Sequence, residues 1–337
     1  MKMSFRILKE CTGLTFLLLT FFSCTEKVDI HTVGPPVNVV YGLLNPGEEV
    51  QYVRIGRSYN GSSNSFLTNP HRDSITWKEK FSVYIEEWKD NQKMEDVFYF
   101  QQDTEIVKDS GFFPSEGLAV YKSYSTPKPL HTYAIYVHFE EDNKISSAWT
   151  TIPGSVTVHD PKPIPGRKIN LQSGSNFTIR WVPAEKAGVY QTFFKVIYEE
   201  RTSTDFEFKN ISFNSQIFIE YASSQLIEKV ISGNRFFEEC LNQVDSTLEA
   251  TREVVNVSFE MYIGGEEFGL FLFSQSNGNY LSSGFSEYTN ITNGIGIFSS
   301  INLYEVSNLQ LSNTTLDELA YGDKTSRLGF LDHYGKR

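Results

Sequence analysis

The chain has 337 residues, a formal net charge of −11, 40% hydrophobic and 15% aromatic residues, and three cysteines. That composition supports a folded body. The acidic balance argues against direct nucleic-acid binding, whose affinity comes largely from Lys and Arg on phosphates, and three cysteines are too few for a disulfide scaffold.

The first segment is an address. MKMSFRILKE carries Lys2, Arg6 and Lys9 against Glu10; an apolar run through Leu14, Leu17, Leu18, Leu19, Phe21 and Phe22 follows, then Ser23 and Cys24. This order reads as a secretory signal peptide over 1–23. The apolar run is about nine residues where a spanning helix needs ~20, so a permanent transmembrane anchor is not expected. FFSC resembles the bacterial lipobox, with Phe21 and Phe22 standing where the usual pattern has Leu and a small residue. The resemblance implies acylation of Cys24 and attachment to membrane lipid, since two or more acyl chains, at about 0.8 kcal/mol per buried methylene, hold a chain on a bilayer. With Cys11 removed and Cys24 acylated, Cys240 is left alone, beside Phe236, Phe237 and Val244 at helical spacing, and is expected in the core. Of 30 basic and 41 acidic side chains, the processed chain keeps 27 and 40, a net of −13.

Residues 24–36 read as a polar tether ending in Gly-Pro-Pro. Period-two alternation then begins. VNVVYGLL (37–44) and QYVRIGRSY (51–59) flank a turn and predict a hairpin. FSVYIEEW (81–88) sets Phe81, Val83 and Ile85 on one face and Ser82, Tyr84 and Glu86 on the other; HTYAIYVHF (131–139) groups Tyr133, Ile135, Val137 and Phe139. Short strands at this spacing predict a β-sandwich over 37–153, with Tyr133 as a candidate corner tyrosine. The Pro/Gly-dense stretch 154–167 is expected to be a linker. Residues 168–337 predict a second sandwich: Trp181 on one strand and Tyr190 early on the next resemble the core pair of fibronectin type III-like domains. Leu226, Ile227, Val230, Ile231, Phe237, Leu241 and Val244 fall on a stripe of helical period, predicting an amphipathic helix over about 223–244, with Ser224 as N-cap and Gly233 as a kink. Alternation returns over 255–273, and 314–323 predicts a short closing helix. The expected fold class is mainly β, two Ig-like or fibronectin type III-like sandwiches.

No metalloprotease, P-loop, dinucleotide, nucleophile-elbow or CxxC motif occurs. His131 and His138 are seven apart on one strand and so point to opposite faces, unable to share a metal. The acids Glu140, Glu141 and Asp142, and the pair Glu266 and Glu267, read as solvated turns rather than cation sites. No catalytic residue, metal or cofactor is expected. The stretches 59–77 and 273–298 mix aromatics with Ser, Asn and Gly, a composition suited to recognition loops. Tyr59, Phe66, Trp77, Tyr280, Phe285 and Tyr288 are their candidate binding residues.

Cys24, VVYGLLNPGEEVQYVRIGRSY, HTYAIYVHF, SSAWTTIPG and YTNITNGIGIFSS together resemble the Bacteroidota outer-membrane lipoproteins of unknown function encoded beside TonB-dependent receptors. The resemblance implies an outer-membrane location, facing either the periplasm or the cell surface, two Ig-like halves and an accessory role at a transporter; it brings no catalytic residue. The leading expectation is a non-enzymatic, lipid-anchored binding protein acting with such a receptor. The alternatives are a structural or adhesive assembly component and, more remotely, a glycan hydrolase built from scattered carboxylates.

Overall fold

Alternating sequence becomes strand almost throughout the computed structural model, which describes residues 35–58, 75–105, 120–141, 143–218, 226–247, 249–276 and 288–337. The leader, Cys24 and nearly all of the tether lie outside these residues. Pro36–Tyr59 and Asn69–Arg337 group as one unit. Its first strands are β1 (Asn38–Leu44), β2 (Val50–Arg57), β3 (Phe81–Lys89), β4 (Gln92–Tyr99), β5 (Gln101–Gln102), β6 (Val120–Tyr124), β7 (Thr132–Phe139) and β8 (Ile145–Thr151). There follow β9 (Thr157–Asp160), β10 (Lys168–Ile169), β11 (Asn176–Val182), β12 (Ala187–Arg201), β13 (Phe206–Phe218) and β14 (Ile227–Ser232). Helix α1 (Gly233–Gln243), β15 (Thr251–Gly265), α2 (Glu266–Ser276), β16 (Gly294–Leu311) and α3 (Asn313–Tyr321) complete the chain.

One nine-stranded sheet runs β13-β12-β15-β16-β1-β2-β6-β5, with β10 also on β16; β14-β11-β9 and β4-β3-β7-β8 form two smaller sheets. The 18-residue β16 joins the halves. Its first part, Gly294–Ser300, pairs in parallel with β1, and its second part, from Ile301 on, pairs antiparallel with β15. Two apolar cores result. The first gathers Val40, Val53, Ile85, Ile135, Val137 and Phe298; the second gathers Trp181, Tyr190, Phe194, Phe236, Phe259 and Val306. The fold is mainly β, two sandwiched cores sharing one long sheet.

Corner tyrosines close both cores. Tyr133 Oη accepts from Lys128 N–H at 2.9 Å, five residues upstream, and Tyr190 Oη accepts from Ala184 N–H at 2.7 Å, six upstream. Trp181 and Tyr190 meet edge to face at 5.4 Å, as their strand positions imply. Cys240 is fully buried, and burial pushes its thiol far above the ordinary range, so it is an inert core group.

Four expectations change. The helix expected over 223–244 starts only at Gly233; residues 227–232 are strand β14. Ile227, Lys229 and Ile231 point inward while Glu228 and Val230 are exposed, a period of two that Ile and Val also satisfy at helical spacing. Gly233 is the switch, because a Cβ there would lie 1.8 Å from the Gln172 carbonyl oxygen. Ser224, the expected N-cap, lies outside the described residues. The strand expected over 255–273 ends at Gly265, and Glu266–Ser276 is α2, with two acids in its positive first turn. Gly269 lets that helix sit on Gly188, whose carbonyl a Cβ would meet at 2.7 Å. Residues 154–167 contain β9, which pairs with β11; Pro161, Pro163 and Pro165 follow that edge strand without interrupting it. Finally, Ile291 and Phe298 belong to the first core although they come near the end of the chain. The closing helix forms as expected, capped by the Ser312 hydroxyl accepting from Thr315 N–H at 3.2 Å.

Candidate functional site

Of the candidate loop residues, Tyr59, Phe66, Tyr280 and Phe285 lie outside the described residues, as does Cys24. Tyr288 is half-buried. Trp77 is turned inward. Its indole N–H reaches Gly56 O at 2.8 Å and Asn38 Oδ1 at 3.1 Å, and its ring meets Phe139 edge on at 5.0 Å. It packs against the first core at the end where the chain enters β1, and remains half-buried.

The register assembles a different surface. On the four-stranded sheet, Tyr84 lies opposite both Tyr99 and Tyr136, and Ala134 lies between Glu86 and Trp149. Because Val83, Ile85, Ile135 and Val137 take the inward positions, these residues point away from the core. The tyrosines form a cross-strand ladder, with ring centroids 5.6 Å apart for Tyr84–Tyr99 and 5.2 Å for Tyr84–Tyr136. Trp88 and Trp149 meet edge to face at 5.2 Å beside it. Tyr99 is 64% exposed and Trp149 44%, so the ladder has an open rim. Glu86 is neutralised by Lys93 at 2.5 Å. Burial, then the Glu86 charge, raises the Tyr84 and Tyr136 hydroxyls above the ordinary phenol value, leaving them neutral donors. The surface thus offers ring area, hydroxyls and little net charge. The sequence signal for it was present: the outward residues of the alternating strands are aromatic where solvated strands usually carry charge.

Several other ionisable groups are paired within the fold. Glu87, 1% exposed, takes Lys128 Nζ at 2.9 Å and His131 Nδ1 at 2.5 Å under the β6–β7 turn. His138 bonds Asn143 Oδ1 at 2.7 Å, well apart from His131. Glu200 and Arg252, both fully buried, pair at 2.6 Å. Burial works to raise the Glu200 pKa, but hydrogen bonds from Lys209 and Arg252 outweigh it and hold the carboxyl below its ordinary value. Glu267 is the opposite case: burial raises it, and Thr150 Oγ1 donates to it at 3.0 Å. A hydrolase site needs two such carboxyls facing one cleft; Glu267's neighbour Glu266 instead sits 3.8 Å from Lys186. Among the described residues no cluster of three or more His, Cys, Asp or Glu could hold a metal ion. No described helix is long and apolar enough to cross a membrane.

No family model matches the chain, and no curated protein matches it. Solved structures similar to it include a three-Ig fragment of titin, a Glu-to-Ala variant, at 9% identity and a TM-score of 0.17. That similarity covers 82% of this chain and 65% of the titin fragment, so the chain spans just under two thirds of its length. CBD12 from CALX1.2 is similar at 10% identity and a TM-score of 0.16, over 80% of this chain and 99% of that one.

Proposed function

We propose that this chain is a non-enzymatic, lipid-anchored protein of the outer membrane, held by acylated Cys24, whose tyrosine–tryptophan face binds a protein partner, the expected one being a TonB-dependent receptor. The observation that carries the binding role is the face itself. A weakly charged patch of Tyr and Trp, with Tyr99 and Trp149 open, stands out on a chain of formal charge −11. Tyr and Trp dominate the energetic centres of protein interfaces, because they give large rigid area with a polar handle. The anchor and the receptor rest on the lipobox and family resemblance of the sequence.

Extraction of the native protein from membranes tests the reading, with a Tyr99→Ala/Trp149→Ala double variant and Cys24→Ser alongside. The expected result is recovery of a receptor with the wild type and a loss of about 2 kcal/mol or more of affinity in the double variant, as hot-spot aromatics give. Cys24→Ser should lose membrane attachment while keeping its melting temperature. Equal recovery by the double variant would remove the aromatic face from the interface, and recovery of no envelope protein would remove the accessory role. A second reading, an assembly component of the cell surface, is favoured by one observation, the short outer edge of β13 at Phe206–Asn210.

A further inference from the structure

Among the described strands β13 is an outer strand of the nine-stranded sheet, paired with β12 on one side. At Ser212 the Gln243 side chain of α1 pairs with the backbone as a strand would. Ser212 N–H donates to Gln243 Oε1 at 2.9 Å, and Gln243 Nε2 donates to Ser212 O at 3.0 Å. Edge-facing backbone groups recur every second residue, so those of Asn210, Phe208 and Phe206 share this edge. Toward the β12–β13 turn no side chain among the described residues pairs with them as Gln243 does; the Phe206 N–H is held by Asp205 Oδ1 at 2.8 Å. Residues Phe206–Asn210 carry two large exposed rings, Phe206 at 61% and Phe208 at 63%, touching edge to face at 6.4 Å. Native sheets ordinarily blunt an open edge with charge, proline or a cover, and seldom dress it with phenylalanine.

The sequence FEFKN is complementary to itself when reversed. In an antiparallel pair centred on Phe208, that ring meets the Phe208 of a second copy. Glu207 falls opposite Lys209 of the second copy, and Phe206 opposite its Asn210. Aromatic and opposite-charge cross-strand pairs are the favourable kinds, and this register contains both without a like-charge clash. Pairing ends after five residues for two reasons: the chain turns away at Thr202–Asp205, and in the second copy Gln243 already holds Ser212. Lys209, now 2.6 Å from Glu207 of its own chain, has its partner's equivalent within the same register.

We propose that the Phe206–Asn210 edge of β13 is a self-association surface, pairing antiparallel about Phe208 with a second copy of this chain, and that Gln243 fixes where the pairing stops. A five-residue contact is small and concentration-dependent, and confinement on a membrane raises the effective concentration that it needs. This contact stands apart from the aromatic face and does not depend on it.

Sedimentation of the full chain in detergent over a range of concentrations tests the proposal. The wild type should show a monomer–dimer equilibrium that Phe208→Lys weakens at least about tenfold, because like charges then face each other on the axis. Glu207→Lys should weaken it by a smaller factor. Phe208 is exposed, so the melting temperature of Phe208→Lys should not move, whereas Glu207→Lys also loses its own bond to Lys209. Register is read by oxidative cross-linking: Asn210→Cys chains should link to Phe206→Cys chains and not to themselves. A wild type that stays monomeric throughout, or a dimer indifferent to Phe208→Lys, would overturn the proposal.

Discussion

The two cores solve one problem in two ways. Each buries a glutamate at an inward strand position, Glu87 in the first and Glu200 in the second. Glu87 is answered from the rim, by Lys128, whose side chain is 55% exposed, and by His131. Glu200 is answered from inside, by Arg252 at 1% exposure, with Lys209 on its outer side. Arg252 also bonds the Leu328 carbonyl and, at 2.9 Å, the Asp245 carbonyl, while its own N–H donates to Gly329 O at 2.8 Å. The difference teaches that the first acid pins one turn, whereas the second, through Arg252, ties two separate segments, at Asp245 and at Leu328–Gly329, to the long sheet.

The largest expected effect breaks that contrast directly. Arg252→Ala leaves Glu200 buried without its inner partner and takes the guanidinium from the Leu328 and Asp245 carbonyls, and should cost about 3–5 kcal/mol in denaturant unfolding. Lys128→Ala removes a half-exposed cation whose acid keeps His131, and should cost about 1 kcal/mol or less. Equal costs for the two would show that the buried guanidinium organises no more than a surface turn does. Replacing both members, as Glu200→Gln with Arg252→Met, should recover only the part of the Arg252→Ala loss that comes from the uncompensated Glu200 charge, since the Leu328 and Asp245 carbonyls still lack the guanidinium.

Corner tyrosines give a finer comparison. Tyr190→Phe strips a buried N–H, that of Ala184, of its acceptor, and should cost about 1–3 kcal/mol. Tyr133→Phe leaves a half-buried N–H that water can reach in part, and should cost about 1 kcal/mol. The order of the two melting temperatures is the readout; a larger loss at Tyr133 would place the tighter corner in the first core.

These tyrosines also mark how far the sequence could be read. Alternation over 81–88 and 131–139, the Trp181–Tyr190 pair and the candidate corner at Tyr133 were legible because each depends on neighbours a few residues away. The aromatic face was half legible: the inward set was assigned, and Tyr84 was placed on the other face, but joining it to Tyr99, Tyr136 and Trp149 needs the register of four strands. The segment 226–232 misled because Ile, Val and Leu satisfy periods of two and 3.6 at once. What decided it was the close approach of Gly233 to the Gln172 carbonyl, a contact across 61 positions that no local pattern carries. The sharing of β16 was invisible for the same reason: nothing in Gly294–Ser300 says that its partner is β1. The inward turn of Trp77 is not legible in composition, which reports the loop and not the direction of a ring.

The smallest expected effect lies where the two cores meet, and it separates Glu267 from Glu200 by sign. Burial raises the Glu267 carboxyl above its ordinary value of 4.5, so the folded state holds that proton more tightly than the unfolded chain does. Its contribution is therefore fully present below pH 4.5 and is lost as pH rises through the higher folded value. Glu200, held below the same ordinary value, behaves in reverse: its contribution is present above pH 4.5 and is lost as pH falls. Glu267→Gln mimics the protonated carboxyl at every pH and keeps an oxygen for the Thr150 hydroxyl. The variant should melt above the wild type at pH 7, and the advantage should shrink as pH falls toward 4.5, where the wild-type carboxyl becomes neutral too. An advantage that widened on acidification would mean that the helix N-terminus stabilises the Glu267 charge more than burial opposes it.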